Sequence, residues 1–134
     1  MKPDPEYTKK LLEAFEDSPD PTTDIDELQK LGLDYRTPEF YFHLRLFNDN
    51  GFVERDDEES GIGVERSLDG HYSWSVISLR LTADGHTFAE AMRSHSGFRA
   101  VRTSLVKSSI SIMRDIAVAA FKSEIAKHGI PFET

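Results

Sequence analysis

Cysteine is absent from the 134 residues. Its absence removes disulfides, thiolate catalysis and Cys-based zinc sites together. Long apolar runs are also missing. The longest clean one, Ile116 to Phe121, falls far short of the ~20 apolar residues that a membrane helix needs. The start, Met1-Lys2-Pro3-Asp4-Pro5, lacks the apolar stretch of a secretory signal. The chain therefore predicts a soluble, cytoplasmic protein without a membrane partner. Basic residues are scarce as well: 16 against 24 acidic ones, for a formal net charge of −8. A field of that sign opposes the approach of DNA. With 38% apolar and 30% charged residues, the composition suits a folded core of one domain's size.

The acid is unevenly spread. Residues 1–70 carry 19 acidic and 8 basic groups, a balance of −11, and residues 71–134 carry 5 and 8, a balance of +3. The basic half offers a positive face, or a dock for the acidic half of a second subunit. The densest acidic run, Glu54 to Glu59, reads as a solvated loop.

Asp4 and Pro5 open a first helix with Tyr7, Leu11, Leu12 and Phe15 on one face, stopping near Asp17. Thr23 or Asp24 caps a short second helix that turns Ile25, Leu28 and Leu31 inward and ends at Gly32. Thr37-Pro38-Glu39 starts a third helix over 38–50, carrying Phe40, Leu44 and Phe47 inward, with Asn50-Gly51 as its stop.

Phe52 to Arg55 reads as a strand. Asp69-Gly70 predicts a two-residue hairpin turn. Tyr72, Trp74 and Val76 alternate with serines, after which Ile77, Leu79 and Leu81 take over the apolar parity. A bulge or burial on both faces accounts for that switch. Thr82 caps a helix over 83–93 with Phe88, Ala91 and Met92 inward, and Ser94 to Gly97 breaks it. Phe98, Val101 and Leu105 form a stripe opposite Arg99, Arg102 and Lys107. The last helix spans about 110–127 and stops at Gly129, with Pro131 beyond.

Three helices followed by a β-hairpin is the winged helix-turn-helix plan. The expected fold is α+β and mainly helical: a winged helix over 1–95 with a C-terminal helical extension over 96–134. The stretch 32–37 is longer than the tightest helix-turn-helix turn, so residues 24–31 are alternatively an edge strand beside the hairpin.

Two stretches, FHLRLFNDNGFVE (42–54) and LRLTADGHTFAEAMR (79–93), resemble a bacterial and prophage family known as domain of unknown function number 2513. The positions that carry the resemblance are His43, Leu44, Phe47, Gly51 and Phe52, then Leu81, Thr82, Gly85, His86 and Phe88. Phe42 stands where that family has tyrosine, Asn50 where it has alanine, and the segment 56–78 is long and acidic. The resemblance implies a winged helix carried on mobile elements and no known reaction.

On that plan the exposed face of the third helix enters the major groove. Arg45 would read guanine beside Tyr41, while Arg36 and Thr37 would hold phosphate. The wing carries Arg55, Arg66, His71 and Arg80, of which Arg55 and Arg66 would reach DNA. Phe42 and Asp49 on the same helix, and the acids at 56–59, favour plain surface or a protein contact instead. The last helix presents Met113, Ile116, Ala117, Ala120, Phe121 and Ile125, an apolar face wide enough to predict a homodimer seam.

No catalytic residue, cofactor or metal is expected. There is no nucleophile elbow or phosphate-cradling loop, and Gly61-Ile62-Gly63 lacks the rest of a dinucleotide fingerprint. His86 and Glu90 make no His-x-x-x-His pair; His86 is expected to fix the strand–helix junction by a hydrogen bond. His43 is expected to be a packed, satisfied core residue. The leading expectation is a dimeric DNA-binding regulator of phage or mobile-element type. Its rival is an acidic protein-interaction module that captures a basic partner or mimics DNA.

Overall fold

The structure, a computed structural model, describes residues 1–104 and 109–128. Among them the fold is mainly helical α+β. The order is α1 (Pro5–Glu16), α2 (Ile25–Lys30), α3 (Pro38–Asp49), β1 (Val53–Arg55), β2 (Val64–Arg66), β3 (Tyr72–Trp74), β4 (Leu79–Leu81), α4 (Ala83–Arg93), α5 (His95–Thr103) and α6 (Ile110–Lys127).

The helix starts follow local chemistry. Side chains of Asp4, Asp24, Thr37, Thr82, Ser94 and Ser109 each accept from a backbone N–H in the first turn that has no helical partner. Of the two candidates for the second cap it is Asp24 that acts. Thr23 instead exchanges two 2.8 Å backbone hydrogen bonds with Leu79, so it lies beside β4, and residues 25–30 are helical rather than an edge strand.

The ends of α2 and α3 share one device. Leu33 N–H donates to Leu28 O at 3.1 Å and Gly32 N–H to Gln29 O at 2.9 Å. Phe52 N–H donates to Phe47 O at 2.8 Å and Gly51 N–H to Asn48 O at 3.1 Å. Both glycines sit at positive φ, +86° and +73°, which reverses the chain and returns the next apolar residue to the core. This corrects one expectation. Leu31 falls on the cap, 55% exposed, and Leu33 is the buried residue in its place.

β1 pairs with β4 (Val53 opposite Leu81) and β2 with β3 (Val64 opposite Trp74), both antiparallel. Ser67 N–H donates to His71 O, leaving a three-residue loop, 68–70, in which Gly70 alone has positive φ. A type I turn followed by a left-handed glycine thus replaces the expected two-residue turn. The parity switch in 72–81 is a break in pairing: residues 75–78 belong to neither sheet and Val76 is exposed.

The α4–α5 boundary is one residue, Ser94, which ends α4 and caps α5; Gly97 lies inside α5, so the expected four-residue break is not there. α4 packs on α1, α5 and α6, and α5 packs on α6. Helices on both sides of the expected 95/96 division contribute to one hydrophobic cluster. Met113 and Ala117 are consumed by it, at 1% and 0% exposure, and so are not available to a dimer seam. Ile116 and Phe121 are half-buried against the same core, and Ala120 is half-buried. Leu105, Lys107, Gly129 and Pro131 lie outside the described residues.

The two resembling stretches meet each other. Thr82 N–H donates to Phe52 O at 2.9 Å, and the Thr82 hydroxyl donates to Gly51 O. Phe52 and Phe88 pack at 5.0 Å between ring centroids, with Phe47 6.4 Å from Phe88. These residues form the joint between α3–β1 and β4–α4, which is an architectural role. His86 does not serve that joint: its side chain is exposed and makes no hydrogen bond among the described residues.

His43 is 1% exposed. Its Nδ1 donates to Glu39 O at 2.7 Å and its Nε2 accepts from the Asp4 N–H at 2.9 Å, which makes it the neutral Nδ1–H tautomer. Burial pushes its pKa below the ordinary value, outweighing the upward pull of the Glu39 carbonyl and of the Asp4 and Glu39 carboxylates. The unfolded chain therefore takes up this proton first. The stability due to neutral His43 is complete above about pH 6.5 and is lost as pH falls through that value toward the depressed one. Urea midpoints measured from pH 7.5 to pH 5 should fall over this window. His43→Phe, which cannot titrate, should start lower and lack the step. A wild-type midpoint that is flat across the window would refute the assignment.

Candidate interaction site

α3 and the β2–β3 hairpin face each other. Tyr72 and Trp74 are two residues apart on β3, so both point to one side, and that side is the outer face of α3. Tyr41 lies 4.4 Å from Tyr72, centroid to centroid, tilted by 31°. Trp74 meets Phe40 edge-on at 5.5 Å, and Tyr35 and Tyr41 at 6.3 Å each. Edge contacts of this kind suit the ring quadrupoles and hold the hairpin against the helix.

Between the start of α3 and the hairpin lies an open groove of about 560 Å³. Tyr35, Pro38, Tyr41, Phe42, Tyr72 and Trp74 line it together with Arg36 and His71. A smaller hollow of about 320 Å³ lies further along α3, where Arg45, Asn48 and Asp49 face Arg66 and Ile62.

The six residues expected to meet DNA divide sharply. Arg36 is held by Asp34 through two hydrogen bonds of 3.0 Å, and this pairing raises the arginine pKa and lowers that of the aspartate. The Thr37 hydroxyl donates to Asp34 O at 2.8 Å and accepts from Phe40 N–H, so its cap duty occupies it. Tyr41 is covered by Tyr72. Arg55 is bound to Asp57, with Nε to Oδ1 at 3.0 Å. Arg45 donates to the Tyr41 hydroxyl, and Arg66 lies 5.8 Å from the Tyr72 ring. Among the described residues neither Arg45 nor Arg66 has a carboxylate in ion-pair reach. The structure thus brings Tyr41, Arg45 and Arg66 together, sets Arg36 and Thr37 at the near end of α3, and leaves Arg55 on β1.

Tyr35, Tyr72 and Trp74 were not among the expected site residues. Their signal lay in the Tyr72/Trp74 alternation, which carries more aromatic bulk than a two-stranded wing needs for its own burial. What that bulk covers is not encoded locally.

Among the described residues no three His, Asp or Glu side chains are grouped so as to hold a metal ion, and no helix is long and apolar enough to cross a membrane. Compared with protein families, with curated proteins and with solved structures, the chain matches none.

Proposed function

We propose that this chain is a non-enzymatic binding module on a winged-helix plan, and that the partner it takes on α3 and the hairpin is a protein segment. The plan is supported by the order α1–α2–α3–hairpin–α4, with Thr23, β1 and β4 lying side by side. One observation carries the choice of partner: the hairpin is folded onto α3, so Tyr41 stacks on Tyr72 instead of projecting outward. A groove walled by aromatic side chains suits an extended peptide, whose side chains fill the spaces between rings. Arg36 and Arg55, already paired with carboxylates, add little attraction for phosphate.

A second reading, operator binding by α3, keeps one observation in its favour: among the described residues Arg45 and Arg66 make no ion pair, and they lie around the same tyrosine pair. Two selections on the full chain separate the readings. A random peptide library should yield ligands that change the emission of Trp74, the sole tryptophan, and that no longer bind Tyr72→Ala. A random duplex library at low salt should yield no sequence that survives competition by scrambled duplex. An enriched duplex whose binding is lost in Arg45→Ala would overturn the peptide reading.

A further inference from the structure

The nine arginines separate by what they touch. Arg36, Arg55, Arg80, Arg93 and Arg114 each hold a carboxylate of this chain. Among the described residues, the two besides Arg45 and Arg66 that hold none are Arg99 and Arg102, neighbours on one face of α5, where His95 continues the same stripe four residues before Arg99. α5 has no acidic residue. From α1, Lys9 places its ammonium 4.6 Å from the centre of the Phe98 ring, and the Arg102 guanidinium lies 5.6 Å from the same ring. From α6, Glu124 is the acid nearest this surface, and it is engaged by His128 at 2.6 Å. In a chain with half again as many acids as bases, an exposed cationic stripe that makes no ion pair among the described residues is a surface lacking its complement.

The complement exists in the same sequence. In the loop between β1 and β2, Asp57 is taken by Arg55, while Asp56, Glu58 and Glu59 are exposed and have no ion pair among the described residues. Among the described residues no ion pair joins this loop to α5 within one chain. We infer that the Arg99–Arg102 stripe of one copy docks on the 56–59 loop of a second copy. Arranged about a two-fold axis, the contact occurs twice per dimer and closes the assembly. The occupant is a second copy because its acidic loop is present wherever the stripe is, whereas a long polyanion is repelled by the net charge of −8 along its whole length. At physiological salt the Debye length of about 8 Å screens the repulsion between whole molecules and leaves contact pairs less affected. This inference is independent of the partner assigned to α3, and it moves the expected homodimer seam from α6 to α5.

The test is the solution mass by multi-angle light scattering at about 0.1 mM protein, in about 0.1 M and about 1 M salt. The wild type should approach twice 15.2 kDa in the lower salt and return to a monomer in the higher. Arg99→Glu/Arg102→Glu and Asp56→Lys/Glu58→Lys/Glu59→Lys alter only exposed side chains, and far-UV circular dichroism checks that both fold. Each should be monomeric alone, and their equimolar mixture should regain the dimer, since the swapped charges match again. A wild type that is monomeric in both salts overturns the inference. So does a dimer that persists in either variant, which would place the seam elsewhere, or a mixture that stays monomeric.

Discussion

Replacing Gly85 by alanine should destabilise the protein by at least ~3 kcal/mol, at the upper end of what overpacking costs. Ordinarily glycine inside a helix is the poorer residue, by roughly 1 kcal/mol against alanine. Here the sign reverses. A Cβ on Gly85 would lie 2.1 Å from Phe52 O and 3.0 Å from its carbonyl carbon. That carbonyl cannot retreat, because it accepts from Thr82 N–H at 2.9 Å and belongs to the turn leading into β1. Gly85 N–H in turn donates to the Thr82 hydroxyl, so moving α4 away would break its own cap. Relief requires separating α4 from the α3–β1 turn, which opens the Phe47–Phe52–Phe88 cluster. Thermal and urea melts measure the loss, expected as a fall in Tm on the order of 10 °C. Ala83→Gly, on the exposed first turn, is the control and should cost no more than about 1 kcal/mol. An unchanged or raised Tm in Gly85→Ala would show that the turn can move and that the joint is not the constraint described.

Gly97→Ala should cost a similar amount, for a related reason at the next corner. Its Cβ would stand 2.0 Å from Ala91 O and 2.8 Å from Ser94 Oγ. Ser94 is the whole connection between α4 and α5: its hydroxyl donates to Ala91 O at 2.6 Å and accepts from Gly97 N–H at 3.0 Å. The absence of a side chain at 97 is what allows α5 to leave the end of α4 at this angle. Alanine would force α5 outward, weakening its packing on α1 and α6 and moving the Arg99–Arg102 stripe. Loss of amide-exchange protection confined at first to residues 95–103, together with a Tm lowered by about as much as for Gly85→Ala, is the expected pattern. Protection equal to that of the wild type would refute it.

Both glycines also show how far local pattern carries. Thr82 with Gly85, and Ser94 with Gly97, are separated by three residues each, and a cap with its first turn is complete within that distance. Hence the starts at Asp4, Thr37 and Thr82 and the stop at Asn50-Gly51 were readable from adjacent residues. Leu31 was misplaced because helical periodicity assigns it to the inner face, whereas the reversal at Gly32 ends that periodicity one residue sooner. Trp74 and Tyr72 announced a half-buried strand, but their burial partner, Tyr41, is 31 residues from Tyr72, and no short-range rule joins the two. The apolar face of α6 was visible for the same reason the caps were. Whether its own domain or a second subunit covers it depends on where α4 and α5 lie, and they bury Met113 and Ala117.

Composition and short-range chemistry by themselves determined the helix starts at Asp4, Thr37 and Thr82, the absence of thiol chemistry and the division into an acidic and a basic half. Each depends on residue type or on hydrogen bonds spanning one turn. Only the tertiary structure decided which arginines meet carboxylates and that the hairpin lies on α3. Charge pairing and ring contact are set by distances in space, and those distances depend on how every element packs at once.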